Sequence, residues 1–428
     1  LSLVLASAAG ALAVPGAQAA HLLPVAPEPI DYVRVCDAFG PGYYYIPGTD
    51  TCLRVAGRIR ADYNYLNFNE SYVALINPGL STGPGTAAVP PAPPGFTGTS
   101  RRVSSAYRFR ARAYVYMDSR TNTEFGLLRT FTEVYFTQNG GGVPGGLTTT
   151  LNRAFIQFGG LTFGRTQSFY DFLPPVFAQN LNVGYSDTTT NVIAYTFAFG
   201  NGFSVSGSLE DEGARRSGIL GDIYAGRRFP DLVGAFRVDQ GWGSAQLMGA
   251  LHSVRARATG DSQLGWAVGA GIQVNVPFGA GTSFNLQGGY TQGALSYVAD
   301  QAVGGVVGLA LGGGTLAAST AVDARVTAAG NLNLVDAWSV SGGFETAFTP
   351  TISYNAQAGY VDVNHDIPGG AGDFRNYAVE GNLAYAPVSG MVFAVGAQYK
   401  YVDLDSALPA GADDPQALSV FFRGQRTF

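Results

Sequence analysis

Residues 107–115, which read Tyr-Arg-Phe-Arg-Ala-Arg-Ala-Tyr-Val, decide the fold. Their polar and apolar side chains alternate one by one, which is the two-residue period of a β-strand and not the 3.6-residue period of a helix. Residues 53–65, Leu-Arg-Val-Ala-Gly-Arg-Ile-Arg-Ala-Asp-Tyr-Asn-Tyr, repeat the pattern. Both stretches predict strands with one arginine-rich face and one apolar face. A soluble sandwich would also alternate, so strand length and spacing must decide between the two architectures.

Segments of about ten or more residues with this period recur to the end of the chain, longer than the five or six residues of an ordinary strand. The predicted strands are 53–65, 105–117, 123–136, 149–158, 161–168, 188–199, 203–211, 230–239, 243–257, 263–276, 282–297, 336–348, 352–363, 374–386, 391–403 and 416–428. Short turns alternate with long connections, among them 66–104 and 298–335, which we expect to be external. This layout predicts an all-β fold, a transmembrane antiparallel β-barrel of about sixteen strands, a size that leaves an aqueous lumen.

The composition suits a chain that meets lipid on part of its surface. Charged residues make up 13% of the chain, about half the usual quarter. Lys400 is the only lysine, and the net charge is −5. This balance excludes a nucleic-acid partner held by a large uncompensated basic surface.

The first 52 residues predict export. Residues 1–19 are apolar and small and end in Ala17-Gln18-Ala19, which indicates a signal peptide with its front end missing and cleavage after Ala19. We expect 20–52 to be an N-terminal segment and 53–428 to be the barrel. In an exported chain Cys36 and Cys52 predict a disulfide, with a stabilisation of about 3 kcal/mol. The uncharged stretch 302–322 is glycine-rich, which favours a loop over the alternative of a spanning helix.

Several blocks resemble one family. They are 32–55 with its two cysteines, the Ala-Gln-Ala-Ala of 17–20, Pro-Glu-Pro at 27–29, Leu-Arg-Thr-Phe-Thr-Glu at 128–133, Phe-Ile-Gln-Phe-Gly-Gly-Leu at 155–161, Gly-Asn-Gly-Phe-Ser at 200–204 and the tail Arg-Thr-Phe at 426–428. Together they resemble the alphaproteobacterial outer-membrane porins found in Brucella and rhizobia. The resemblance implies a sixteen-stranded barrel, a homotrimer and passive diffusion of small hydrophilic solutes and ions. It also implies outer-membrane lipid and lipopolysaccharide as surroundings. Separately, an aromatic residue at the end of an alternating last strand, here Phe428, resembles the signal read by the outer-membrane assembly machinery.

The resemblance also implies that the loop after the fifth strand, Ser168 to Asp187, folds inward as a constriction loop. On the opposite wall, stacked like charges repel, so arginines at alternate positions favour a wet lumen facing acidic groups such as Asp171. The candidate pore-lining residues are Arg58, Arg60, Arg108, Arg110 and Arg112, with Arg129, Glu133, Arg153 and Arg165 as weaker candidates. The alternative is a solvated polar face without selectivity. With few loop acids, we expect a constriction that is neutral or mildly anion-preferring.

Other chemistries find no support in the sequence. No phosphate-binding motif is present, since the only lysine precedes Tyr401. His21, His252 and His365 are far apart, so we expect solvated loop or wall histidines, no metal, no cofactor and no enzyme. The competing interpretations are a substrate-selective or adhesive barrel of the same fold, an outer-membrane enzyme such as a barrel lipase, and a soluble secreted β-protein.

Overall fold

The computed structural model describes residues 34–68, 107–140, 147–172, 184–277, 280–299, 307–309, 314–316, 321–367, 372–405, 414 and 416–428. Sixteen long strands dominate this part of the chain. They are β1 (Cys52–Phe68), β2 (Tyr107–Thr123), β3 (Gly126–Asn139), β4 (Thr148–Phe158), β5 (Leu161–Gln167), β6 (Thr189–Gly200), β7 (Phe203–Glu210), β8 (Asp231–Gln240), β9 (Gly243–Arg255), β10 (Ser262–Asn275), β11 (Ala280–Gln292), β12 (Asp336–Thr349), β13 (Ile352–Asn364), β14 (Phe374–Val388), β15 (Met391–Leu404) and β16 (Gln416–Thr427).

The strands form a closed antiparallel ring. Each strand pairs with the next one along the chain, and β16 pairs with β1 in a register that places Arg58 opposite Thr427 and Tyr63 opposite Phe422. Two further hydrogen bonds complete this seam, from the Gly57 amide to the Phe428 carbonyl (2.8 Å) and from the Phe428 amide to the Gly57 carbonyl (2.9 Å). Closure removes the sheet edges, whose unpaired backbone groups lipid could not satisfy. The predicted sixteen-stranded barrel is confirmed.

Odd and even side chains separate as the alternation predicts. On β1 and β2, Ile59 is 49% exposed and Phe109 is 57% exposed, whereas Asp62 on the other face is only 3% exposed. Exposed large apolar side chains recur on the outer wall around most of the barrel, for example Ile193 (51%), Leu247 (60%) and Val395 (48%). A wall of this kind fits hydrocarbon outside and water inside. Among the described residues, no helix has the length and hydropathy to cross a membrane.

One end of the barrel carries short turns and the other carries long connections. The turn between β2 and β3 consists of residues 124 and 125, so the prediction that β2 ends at 117 was wrong. The strand β2 continues through the polar residues Asp118 to Thr123, past its last outward apolar side chain, Met117. Beyond that point the outer face is polar too, and Ser119 hydrogen-bonds Thr130 across the strands (2.6 Å).

Strand β11 also departs from its predicted bounds. It ends at Gln292 and not near 297, because Gly293 takes a positive φ of 69° and a 3₁₀ turn follows at Leu295–Tyr297. Glycine adopts this backbone conformation without a Cβ penalty. Of the predicted loop 302–322, the described parts include two short paired strands, Val307–Leu309 and Gly314–Leu316. The rest of that stretch, apart from 321–322, lies outside the described residues.

Two long loops pack against the inner wall. Tyr170 and Phe172 of the 168–188 loop form a buried cluster with Val233, Met248 and Ala267 of β8–β10, as expected for an inward-folded loop. The 293–335 loop does the same on β12–β15, where Val298 and Val322 are buried against Val361, Phe374 and Val402. The described part of 298–335 thus lies inside the barrel wall, and the side of the membrane from which this connection enters stays a prediction. The inner faces of β12–β15 are apolar at this level, and burial under the loop removes that surface from water.

The N-terminal segment is fastened to the short-turn end. The predicted disulfide between Cys36 and Cys52 is confirmed, and both residues are buried with Tyr43. The Tyr43 hydroxyl donates to Asp118 of β2 (2.8 Å), and burial together with this bond raises the pKa of Tyr43. Strand β1 begins at Cys52, one residue before the predicted barrel start. The predicted signal peptide 1–19 and residues 20–33 of the N-terminal segment lie outside the described residues, so the bounds of both stay predictions.

Candidate pore and its charged wall

Asp62 is the centre of an arginine cluster on the inner face of the seam. Its carboxylate lies 2.9 Å from Arg60 Nε, 2.6 Å from Arg110 Nη2 and 2.6 Å from Arg423 Nε. These partners come from β1, β2 and β16, which the barrel closure brings side by side. One carboxylate therefore holds three guanidinium groups, and the cluster keeps a positive charge.

Arg423 was missed as a site residue. It lies on the polar face of the last strand, opposite Asp62 in the β1–β16 register. Pairing the first and last predicted strands would have placed it there. Arg108 occupies the next inward position, opposite Asn64.

Tyrosine rings support the remaining arginines of this wall. The Arg58 guanidinium lies 3.8 Å from the ring centre of Tyr114, and that of Arg112 lies 4.3 Å from the ring centre of Tyr135. Arg112 also donates from Nε to Thr137 (2.8 Å) and from Nη1 to the Tyr114 hydroxyl (3.2 Å). Stacked and hydrogen-bonded in this way, the side chains are held in defined positions on the inner face.

The weaker candidates fall into two groups. Arg129 pairs with Asp118 (2.9 Å), which also binds Arg120 (2.9 Å), and Glu133 lies 3.8 Å from Arg153. All of these side chains belong to the inner face of β2–β4.

Arg165 is different. Arg165 lies at an alternate position to Leu161 and Phe163 on β5, and these two side chains are exposed on the outer wall. Its Nε donates to the Leu151 carbonyl. The structure therefore does not place Arg165 with the inner-face arginines, because it falls on the outward parity of β5.

Asp171 also departs from the expectation that it would face these arginines. Its side chain is fully buried and pairs with Arg215 (3.1 Å). Further bonds come from the Ser186 hydroxyl, the Thr188 amide (2.7 Å) and Gln167. The carboxylates that balance the arginine wall are Asp62, Asp118 and Glu133 on the wall itself. The 168–188 loop contributes its acid to the packing between loops, because Arg215 reaches it from the 211–230 loop.

The described histidines are buried and not solvated as expected. His252 Nδ1 lies 2.9 Å from Asp231, and His365 Nδ1 lies 3.3 Å from Asp373. Among the residues that the structure describes, no group of three or more His, Cys, Asp or Glu side chains has the arrangement of a metal site.

Phe428 packs on the outer surface of the seam. A Cβ placed on Gly57 would lie 2.6 Å from the Phe428 ring, so the ring fills the space that a side chain at position 57 would take. The terminal residue thus contributes both hydrogen bonds and packing to barrel closure.

A closed barrel with an apolar outer wall and a charged inner wall narrowed by inward loops defines an outer-membrane β-barrel channel. Comparison with known proteins gives the family. Residues 22–421 match the model of the porin subfamily. The chain is 31% identical to the porin Omp2b of Brucella canis and to that of Brucella abortus (strain 2308), over 443 aligned residues that cover 100% of this chain and 99% of each relative. The chain belongs to this porin family, and its place is the outer membrane.

Solved structures show the same fold. The outer-membrane channel DcaP of Acinetobacter baumannii is 15% identical and superposes with a TM-score of 0.68, covering 90% of this chain and 99% of that one. An anion-selective porin from Comamonas acidovorans is 12% identical, with a TM-score of 0.52 and coverage of 88% and 100%. All of these relatives and neighbours are described as porins or channels.

Proposed function

We propose that this chain is a general diffusion porin that lets small hydrophilic solutes and ions cross the outer membrane passively. The observation that supports it most directly is the contrast between the two faces of one closed wall. Charged side chains such as Arg60 and Asp62 lie inside, while Ile59 and Phe109 are exposed outside. Such a wall does no chemistry; it sets the width and the charge of a hole.

We assign the pore lining to the inner face of β1–β4 and β16. Arg58, Arg60, Arg108, Arg110 and Arg112 form its main part, and Arg129, Glu133 and Arg153 extend it. On these strands the inner-face arginines outnumber the carboxylates, which are Asp62, Asp118 and Glu133. An excess of fixed positive charge raises the local concentration of anions, so the pore prefers anions mildly.

Reversal potentials in a salt gradient across a planar bilayer test this assignment. In wild-type channels we expect the sign of a mild anion preference. Replacing Arg108, Arg110 and Arg112 together with Ser shifts the reversal potential toward cation selectivity, because three positive charges leave the lumen. Arg165→Ser is the matched control, since its side chain lies on the outward register. Clear cation selectivity of the wild type, or a triple variant that behaves like the control, would contradict the assignment.

The working form in this proposal is a homotrimer surrounded by outer-membrane lipid and lipopolysaccharide, without a catalytic step. The family membership supports the trimer. An unheated sample on a denaturing gel should run as a band of about three chains and should collapse to one chain on boiling. A single-chain band before boiling, from outer membranes solubilised in mild detergent, would contradict it.

A further inference from the structure

A pocket of about 430 Å³ opens in the inner wall where β1, β2, β3 and β4 meet. Its lining includes three arginines and three tyrosines, namely Arg58, Arg112, Arg153, Tyr114, Tyr116 and Tyr135. The volume lies in the range of pockets that hold small molecules. Apolar ring faces and cationic donors therefore meet in one concave place within the proposed pore lining.

The tyrosines fix the direction of the Arg58 guanidinium. Tyr114 and Tyr116 are parallel to within 8°, with ring centres 6.0 Å apart, and Arg58 lies 3.8 Å from the first ring centre and 5.9 Å from the second. A guanidinium that stacks on a ring has its face covered, and its N–H donors point outward in its plane. This edge is the one that binds the two oxygens of a carboxylate or phosphate side by side.

Neither Arg58 nor Arg112 has a carboxylate within ion-pair distance among the residues that the structure describes. The Nε atom of Arg58 is buried and has no hydrogen-bond partner in the described part of the chain. A buried donor without an acceptor costs about 1–3 kcal/mol. An anionic acceptor that entered the pocket would recover that cost.

The charge of the pocket also favours binding of an anion. Its one lining carboxylate, Glu133, lies 3.8 Å from Arg153, so that pair is balanced. The charges of Arg58 and Arg112 remain. Partial burial between rings weakens solvent screening and strengthens their attraction for an anion.

We propose that this pocket is an oxyanion-binding subsite, in which Arg58 and Arg112 hold the carboxylate or phosphate group of a permeating solute against the Tyr114 ring. The proposal rests on the diffusion-channel function and deepens it. Small oxyanions would bind transiently at this place in the lumen, so their flux saturates as their concentration rises. Chloride would pass without binding there.

Single-channel recording in potassium chloride tests the subsite with inorganic phosphate or acetate added to one side. In the wild type we expect a concentration-dependent, saturable reduction of the chloride current. Arg58→Lys keeps the charge but loses the planar donor edge. The half-blocking concentration should then rise roughly tenfold or more, as expected for losing a charged hydrogen-bonded pair.

Arg54→Lys is the matched control. Arg54 lies on the same strand and the same face, four residues before Arg58, and does not line the pocket. Phosphate and acetate should block the Arg54→Lys channel at the same half-blocking concentrations as the wild type. Block by phosphate alone or by acetate alone would support the subsite and identify which oxyanion it takes.

Three results would overturn the subsite. One is a current reduction that does not saturate with either anion. Another is an equal loss of block in Arg58→Lys and Arg54→Lys, which would show that only the general field of the wall acts. The third is a complete lack of conductance, which would overturn the diffusion function and the subsite together. If either of the first two results is obtained with channels that conduct chloride normally, only the subsite is overturned.

Discussion

Asp171 of the 168–188 loop and Arg215 of the 211–230 loop form an ion pair in which both side chains are fully buried, with Nη2 of the arginine 3.1 Å from Oδ1 of the aspartate. Arg215 also donates to the Ser186 hydroxyl (2.6 Å) and to the Ser296 carbonyl (3.2 Å), and it lies 4.2 Å from the ring centre of Tyr297. One guanidinium thus connects three loops, because Ser296 and Tyr297 belong to the 293–335 loop. The described parts of these three loops are thereby held against one another.

Arg215→Met should destabilise the loop assembly strongly. Removing one partner leaves the Asp171 carboxylate buried without its counter-charge, which costs about 3–5 kcal/mol. Urea unfolding of the detergent-solubilised protein measures the loss, and single-channel current noise should rise as the loops loosen. Arg227→Met is the control, because Arg227 pairs with Asp211 (3.0 Å) in the same loop but is 59% exposed; an exposed pair contributes about 0–1 kcal/mol. Equal losses in the two variants would contradict the role of Arg215.

The loop packing around Asp323 should tighten as the pH falls. Burial raises the pKa of Asp323 above its usual 3.8, although a neighbouring His252 charge and bonds from the Ser217 amide (2.6 Å), the Leu295 amide (2.8 Å) and the Tyr224 hydroxyl (2.8 Å) oppose the shift. Asp231 and Glu212 also face this cluster through His252, and Arg216 stacks on Tyr224.

A carboxyl whose pKa is raised by folding binds its proton more tightly in the folded state. Its contribution is therefore fully present below pH 3.8 and is lost as the pH rises through the higher folded pKa. Hydrogen exchange at the Ser217 and Leu295 amides, corrected for intrinsic rates, should show greater protection at acidic than at neutral pH. Asp323→Asn should flatten this dependence.

Asp222→Asn, in the 211–230 loop, makes a contrasting control. The Asp222 carboxylate accepts bonds from the amides of Thr259, Ile223 and Ala258, which lower its pKa, so it loses stabilisation as the pH falls. Removing this carboxylate should make the rise in amide protection with falling pH steeper, not flatter. Protection that rises toward neutral pH in the wild type would contradict this account.

Asp62→Asn should shift the ion selectivity of the channel toward anions. Three guanidinium groups, from Arg60, Arg110 and Arg423, would lose their shared carboxylate, and weakening of those bonds costs about 1–3 kcal/mol of stability. The reversal potential in a potassium chloride gradient measures the first effect and urea unfolding the second. Asp239→Asn is the control, because Asp239 is an exposed inner-face carboxylate that pairs with the exposed Arg237. A selectivity change no larger than the control's would show that Asp62 lies away from the narrow part of the pore.

The barrel could be predicted from the sequence because its rule is local. Each strand repeats a two-residue period, so the faces of β1 and β2 and the number of strands could be read without any long-range contact. The disulfide followed from two cysteines in an exported chain. At Asp118 to Thr123 the same reasoning failed, since a strand that passes beyond the hydrocarbon no longer needs an apolar outer face.

The loop contacts could not be predicted because they join residues far apart in the chain. Nothing near Asp171 indicates that Arg215 neutralises it, and nothing within 298–335 indicates that Val322 packs on Val361. The arginine wall was recognisable from β1 and β2, but its balance depends on Arg423, which is 361 residues from Asp62 in sequence. Barrel closure alone brings that pair together.

The seam gives a prediction for assembly, in line with the proposed signal at Phe428. Gly57→Leu should slow barrel closure and destabilise the folded form, because a side chain at position 57 would displace the Phe428 ring, only 2.6 Å from a Cβ built there. Overpacking of this kind costs about 1–3 kcal/mol. Refolding into detergent, followed by the shift between folded and unfolded bands on a gel, measures both effects. Gly207→Leu is the control, since a Cβ at that position, also within a barrel strand, meets nothing within 4 Å. Phe428→Ala combined with Gly57→Leu should recover part of the folding rate if the clash is the cause; a double variant that folds no faster than Gly57→Leu alone would show that the ring and residue 57 do not compete for the same space.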